Sequence, residues 1–327
     1  MFNGKIIFVT WWTWTWWQAI IKYLLVNYDI KKIIVFSRNE DKQVLMEKDI
    51  NSKKLTFILW DIRNKEQLLK FSKWVDYVIH LAALKHIYKC SENSDEAISI
   101  NIVWTQNLID VCIENKIKKC LYISTDKAVE PYNLYWNTKA IWEKIIIWAN
   151  SYSYNNWICK FFVLRAWNII WSNWSVFRIF ANQIKSGVPI TITNIDMKRF
   201  YVKISDVVKL IELSFKITKW WEIFVLKWKV LSLKEVLDLV IDIFKLKNYK
   251  TIKIWSKTWE KKDEVLISSK EIENTFDYKW KYFIISDNSY YNKNLKKVDF
   301  ISYSTDFDID YWTLEEIKDE LLIIFNK

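Results

Sequence analysis

The sequence predicts an α/β protein built on a doubly wound parallel sheet, with a smaller mixed α/β part interleaved with it. Three observations predict it. Short β-rich apolar runs alternate with helical patterns through the first half of the chain. The first run passes through a tight loop into a helix. From about residue 166 the alternation weakens into shorter, mixed elements.

Taken in order, the strand-like runs are residues 5–9, 32–36, 55–59, 76–80, 119–124 and 160–164. They are rich in Ile, Val, Phe and Leu, which suit a sheet covered on both faces. Amphipathic stretches at 18–27 and 96–115 lie between them. In the later half a strand is expected at 189–193, helices near 205–215 and 233–244, and a closing helix at 314–325. The division is residues 1–165 for the nucleotide-type domain and 166–327 for the substrate-binding part, with no sharp linker. In such sheets ligands bind beyond the carboxyl ends of the strands, so the residues directly after each strand are where chemistry is expected.

Composition bounds the rest. Hydrophobic residues make up 51% and charged residues 27% of the 327, with no run of 18 apolar residues to span a bilayer and no signal segment before the first strand. A cytoplasmic protein without a membrane partner is expected. The net charge of +11 is scattered among Ile, Asn, Phe and Tyr rather than gathered in a stripe, which argues against nucleic acid. Cys90, Cys112, Cys120 and Cys159 have no C-x-x-C spacing, and with His80 and His86 they suggest neither a metal site nor a disulfide framework.

One feature of the composition is anomalous: 22 tryptophans against two glycines. Ordinary glycine usage of roughly 7% would give about 23 in this length, and the tryptophans and glycines together come to nearly that number. The run T-W-W-T-W-T-W-W at residues 10–17 follows the first strand and opens a helix, where a nucleotide-binding fold places a glycine-rich loop. That loop needs left-handed backbone angles and close approach of main-chain N–H groups to a pyrophosphate. Five indoles would fill it. The expectation is that most of these positions are glycine in the living protein, read as tryptophan because UGA specifies either residue in variant genetic codes. With indoles in place the nucleotide groove should be crowded.

With glycine at Trp11, Trp14 and Trp17 the loop reads T-G-x-x-G-x-x-G, a dinucleotide fingerprint of the Rossmann type. Thr10, Trp11, Thr13, Trp14, Thr15, Trp16 and Trp17 are then the phosphate-binding positions. Ser37 and Arg38 end the second strand where an acidic residue would meet a ribose 2′-hydroxyl; a cation there suits a 2′-phosphate, so NADP is the expected cofactor. Asp61 and Ile62 follow the third strand, at the adenine edge. Leu81, Ala82 and Ala83 follow the fourth and are small enough for close approach. The fifth runs into Ser124, Thr125, Asp126 and Lys127, with Tyr135-x-x-x-Lys139 beyond. Four residues apart on a helix share a face, so the Lys139 ammonium is expected to lower the Tyr135 phenol toward use as a base.

These motifs and the strand order resemble the extended short-chain dehydrogenase/reductases acting on nucleotide sugars. More narrowly, A-A-L-K-H at 82–86, S-T-D-K at 124–127, R-A-W-N at 165–168, M-K-R-F at 197–200 and W-E-K at 259–261 resemble the inverting UDP-N-acetylglucosamine 4,6-dehydratases. Trp11, Trp14, Trp17, Trp60, Trp104, Trp136, Trp167 and Trp259 fall where that family carries glycine or another small residue.

The resemblance implies a lyase acting on a UDP-sugar in surface polysaccharide synthesis, and a homo-oligomer. Tyr135 would remove the C4 hydroxyl proton, Lys127 the C5 proton, and Asp126 would protonate the departing C6 hydroxyl. Lys85 and Asn168 would lie near the sugar or its diphosphate, Thr193 and Arg199 near the nucleotide, and Lys257 and Glu260 in a closing loop. The family usually has Arg at Lys257, Tyr at Ala166, and His or Tyr at Asp263. The rivals are a UDP-sugar 4-epimerase, which needs Tyr135 and Lys139 but not the Asp126–Lys127 pair, and a non-catalytic NADP-binding scaffold.

Overall fold

The computed structural model describes residues 1–10, 14–84, 86–156, 158–166, 168–170, 172, 175–227, 229–255, 261–305 and 314–325. Six parallel strands form the centre: β1 (Ile6–Thr10), β2 (Lys32–Ser37), β3 (Leu55–Leu59), β4 (Tyr77–His80), β5 (Lys119–Ser124) and β6 (Lys160–Arg165). Their spatial order is β3-β2-β1-β4-β5-β6, so the direction of winding reverses between β1 and β4. In β1, Ile7 and Val9 face one apolar layer while Phe8 faces the other. A strand buried on both sides reads as a continuous apolar run rather than an alternation.

One layer packs the helices Trp14–Asn27 and Ile204–Ile217 on the sheet through Ile20, Leu24, Val207 and Phe215. The other packs Trp104–Glu114 and Leu134–Tyr154 through Leu108, Val111, Trp142 and Ile146. Three strands from beyond residue 166 extend the same sheet past β6: Ile223–Leu226 in parallel, then Tyr282–Ile285 and Thr275–Tyr278 antiparallel. A third core joins Phe177, Phe180, Leu237, Val240, Ile317 and Leu321 beneath the helices Val176–Lys185, Leu233–Phe244 and Leu314–Phe325. Among the described residues no helix is long and apolar enough to cross a membrane.

The expected strand at 189–193 is Ile190–Ile192, paired with Thr251–Lys253. The helix expected at 96–115 runs without a gap from Ser94 to Glu114, with a π turn over Ser99–Val103 between its α-helical parts Ser94–Ile98 and Trp104–Glu114. The π turn buries Asn101, whose side chain accepts from Leu84 N (2.9 Å) and donates to Leu84 O (3.4 Å) and to Thr138 Oγ1 (3.0 Å). One amide thereby ties the loop after β4 to the helix that carries Tyr135, the kind of local demand that π turns serve.

Eight non-glycine residues among those described have positive φ, and three are tryptophan: Trp74 (72°), Trp221 (66°) and Trp280 (50°). Only glycine occupies this region without strain. Trp74 and Trp280 are also 78% and 70% exposed, so burial of the rings does little to offset the strain. Two deeply buried indoles, Trp136 and Trp142, leave their Nε1–H groups without a partner, which costs about 1–3 kcal/mol each.

Candidate active site

The site is assembled at the carboxyl ends of β4, β5 and β6. β5 ends at Ser124, and Thr125 caps a single turn of 3-10 helix, Asp126–Ala128. That turn is short, so Asp126 and Lys127 fold back on each other. Lys127 Nζ donates to both Asp126 carboxylate oxygens at 3.0 and 2.9 Å, and Thr125 Oγ1 donates to Oδ1 at 2.6 Å. Asn133 caps the following helix by accepting from Trp136 N (3.0 Å), which sets Tyr135 and Lys139 in the first turns, both buried.

A cavity of about 640 Å³ opens over these groups. Ser124, Thr125, Lys127, Tyr135 and Lys139 line one wall; Asn168, Thr193, Met197, Arg199 and Tyr201 line the opposite one. Ser124 is buried on that wall beside the Tyr122 phenol.

The charges are arranged differently from the sequence expectation. The Lys139 ammonium does not sit on the Tyr135 phenol. It lies 3.9 Å from the ring centre of Trp142 and 3.4 Å from Tyr122 Oη, because the indole one turn further along the helix offers a cation–π face. Burial drives Lys139 well below its ordinary value and raises Tyr135, and the cation that opposes the rise at Tyr135 is Lys127.

At Asp126 and Lys127 the directions are also opposite to those an acid and a base require. Burial would raise Asp126, but Lys127 and Thr125 outweigh it and hold the carboxyl below its usual range. Burial would lower Lys127, but Asp126 and Glu264 outweigh it and hold the ammonium above its usual range. At rest this is an ion pair.

Sequence reasoning passed over Glu264. Its carboxyl is buried against Lys127 Nζ (3.4 Å), Arg199 Nε (3.2 Å) and Asn168 Nδ2 (3.3 Å). Burial and the neighbouring Asp126 raise it to about 7. It sits four residues beyond Glu260, in a segment whose chemistry only the tertiary contacts reveal.

Other expected residues take structural partners. Thr10 Oγ1 lies 2.5 Å from His80 Nδ1 and accepts from Leu81 N and Ala82 N at 3.3 Å, so its hydroxyl joins β1 to the turn after β4. Ser37 Oγ accepts from Gln43 Nε2 (3.1 Å). Arg199 spends its guanidinium on the carbonyls of Lys198 (2.7 Å), Lys262 (3.0 Å) and Lys261 (2.7 Å), which pin the segment leading to Glu264. Thr193 Oγ1 donates weakly to Met197 Sδ at 3.8 Å.

Arg38, Asp61 and Arg63 line a second cavity of about 890 Å³ at the ends of β2 and β3, where Asp61 Oδ2 meets Arg63 Nη2 at 2.6 Å and Arg38 Nη1 lies 3.8 Å from the same oxygen. Beside it, a slot walled by Ser37, Ile62, Ala82, Trp60 and Trp104 holds only about 20 Å³, far too little for a purine. Arg38 and Arg63 are the cations available there to an anionic group, and Trp60 and Trp104 are among the side chains that narrow the slot.

Trp11, Thr13, Lys85, Trp167, Lys257, Trp259 and Glu260 lie outside the described residues. Trp14, Thr15, Trp16 and Trp17 open the first helix in backbone, and their side chains are likewise outside the description.

The sheet order, the strand-end cavity and the Tyr135-x-x-x-Lys139 turn define an extended short-chain dehydrogenase/reductase. Within that class, the family model described as "Polysaccharide biosynthesis protein" matches residues 7–286, and the chain belongs to that family. It is 36% identical to the UDP-N-acetylglucosamine 4,6-dehydratase (inverting) of Campylobacter jejuni subsp. jejuni serotype O:23/36, with 100% of this chain and 98% of that one covered. It is 34% identical to the UDP-glucose 4-epimerase of Rickettsia rickettsii, covering 99% and 97%. Among solved structures, Pen from Bacillus thuringiensis matches with a TM-score of 0.89 at 31% identity, over 99% of this chain and 98% of that one.

Proposed function

We propose that the protein is an NADP-dependent UDP-N-acetylglucosamine 4,6-dehydratase of the C5-inverting kind, a hydro-lyase working in the cytoplasm on precursors of surface polysaccharide. The observation that carries this reading is Lys127 beside Tyr135 on the wall of one cavity, with the fully buried Asp126 carboxylate bonded to the Lys127 ammonium. A 4-epimerase needs a base for the C4 hydroxyl only; a buried carboxylate and ammonium adjacent to it supply the second proton-transfer pair that loss of water requires. The C. jejuni relative supports the substrate assignment, and the four free cysteines suit a reducing compartment. The family resemblance also supports a homo-oligomer.

In this reading Ser37 and Arg38 hold the 2′-phosphate, Asp61 and Ile62 border the adenine, and Tyr135 and Lys139 reach the ribose end. A bound nicotinamide supplies a hydride acceptor for C4 and donor for C6. Tyr135 takes the C4 hydroxyl proton. Lys127 takes the C5 proton once the 4-keto group has acidified it, and Asp126 gives a proton to the departing C6 hydroxyl. Both must leave their resting ion-paired states to do so.

The working protein, in the same proposal, carries glycine at most of the positions written as tryptophan. The positive-φ tryptophans, the partnerless indole N–H groups and the closed adenine slot support it. Without the Trp142 ring, Lys139 is free to turn from the indole toward the ribose site.

The test is product analysis by NMR after incubation of the natively decoded protein with UDP-N-acetylglucosamine and NADP in deuterated water. A 4-keto-6-deoxy sugar with deuterium at C5 is expected. A C4 epimer with no loss of water would establish the epimerase reading, which the R. rickettsii relative favours. Cofactor binding without turnover of any nucleotide sugar would point to a scaffold. Intact mass of the native protein decides the glycine proposal, since a mass matching 22 tryptophans would refute it.

A further inference from the structure

We propose that Glu264 is a positioning residue that holds the proton Asp126 delivers to the departing C6 hydroxyl, so that the acid of the dehydration is a carboxyl pair rather than one aspartate. The proposal rests on the dehydratase reading and adds a residue to it.

The geometry carries it. Asp126 has no exposure at its side chain and is flanked by Lys127, which keeps it ionised. As the resting state stands, it has no proton to give. Glu264 Oε1 lies 3.4 Å from the same Lys127 Nζ, and its carboxyl is within hydrogen-bonding reach of the Asp126 carboxyl itself. Two buried carboxyls that share a neighbourhood cannot both ionise readily, and one retains a proton. Here the asymmetry of partners decides which. Asp126 has both oxygens on the ammonium and a third bond from Thr125, whereas Glu264 has single, longer contacts to Lys127, Arg199 and Asn168. Burial and Asp126 together raise Glu264 to about 7.

The charged and titrating groups facing Glu264 are Asp126 and Lys127 from the turn after β5, Arg199 and Tyr201 from strand Lys198–Val202, and Lys261 and Asp263 on its own segment. Its backbone is fixed by Thr305, whose Oγ1 accepts from Glu264 N at 3.0 Å.

The proton count closes. Asp126 releases a proton to the C6 oxygen as the C6–O bond breaks, and the hydroxyl leaves as water. Glu264 replaces that proton on Asp126 and is left ionised. Lys127 then passes its ammonium proton to the ionised Glu264 across their 3.4 Å contact, becomes the neutral base that takes the C5 proton, and later returns that proton to C5. Tyr135 holds the proton removed from the C4 hydroxyl and loses it to solvent, and Lys127 regains one from solvent, so each cycle consumes none.

The experiment measures, in the natively decoded protein with UDP-N-acetylglucosamine and NADP, the rate of water loss and of C5 exchange against pH, for wild type and Glu264→Gln. Wild-type water loss should fall as pH rises through about 7, where Glu264 gives up its proton. Glu264→Gln should lose water about 10²-fold more slowly, the lower end for a proton-transfer group. It should lack that falling limb, and C4 oxidation, read as transient reduced nicotinamide, should suffer far less than dehydration. An unchanged falling limb with a near wild-type rate in the variant would overturn the proposal. So would equal losses in C4 oxidation, C5 exchange and water loss, which mark a merely structural role. If the variant fails to fold, the wild-type profile decides: water loss indifferent to pH between 6 and 8, roughly one unit either side of that value, rejects Glu264 as the proton holder. Epimerisation without water loss in the wild type removes both this proposal and the dehydratase reading, whereas failure of Glu264 alone leaves a wild type that still makes the 4-keto-6-deoxy product.

Discussion

In the proposed reaction Lys127 and Tyr135 divide the chemistry between them, and single substitutions should separate their steps. Lys127→Ala removes the group nearest to serving as a C5 base, so solvent deuterium should cease to enter C5, measured by NMR, while C4 oxidation continues. Tyr135→Phe removes the C4 base and should lower both signals together by roughly 10²-fold or more. Both residues were legible in the sequence because their spacing after β5 is local. Their electrostatic states were not. The partner that raises Lys127 includes Glu264, 137 residues away, and the group that captures Lys139 is the Trp142 ring.

Between residues and the whole, the turns and short helices carry the evidence about tryptophan and glycine. The hairpin joining Thr275–Tyr278 to Tyr282–Ile285 places Lys279 and Trp280 in succession at φ 50°, and the turn before β4 does the same with Trp74 at 72°. Trp74→Gly and Trp280→Gly in the tryptophan-bearing protein should each raise unfolding stability by about 1 kcal/mol, the relief of a left-handed strain, read from urea denaturation midpoints at unchanged slope. The strands β1 to β6 were legible from their apolar runs to within a residue or two at each end. The π turn at Ser99–Val103 was not, since its cause is the Asn101 amide reaching Leu84 and Thr138, and a periodic pattern does not reveal a long-range demand on one side chain.

At the scale of the molecule, Arg165 at the end of β6 binds the two halves together. Its guanidinium contacts Glu143 (2.8 Å) on the Tyr135 helix, Glu271 (2.6 Å), and the Leu266 carbonyl (2.8 Å). Arg165→Met would strand Glu143, which is 4% exposed, and should cost roughly 3–5 kcal/mol of stability, again measured by denaturant unfolding. His80 gives the fold a pH limit. Burial, with Lys139 nearby, holds it down to about 3 against an ordinary 6.5. The unfolded chain therefore takes up the proton first, and this contribution, fully present above about 6.5, is lost as pH falls toward 3. His80→Gln cannot titrate, so the stability difference between wild type and variant should shrink across that window when unfolding is followed at successive pH values.

The sequence by itself determined the parallel sheet, the places of its strands along the chain, and the Ser124–Lys127 and Tyr135–Lys139 motifs, because each depends on periodicity or spacing within a few tens of residues. Only the tertiary structure decided how the later strands extend the sheet past β6, that Arg199 clamps the backbone ahead of Glu264, and that Asp126 and Lys127 rest as an ion pair. Those outcomes depend on burial and on charges brought together from distant segments, and a linear pattern carries neither.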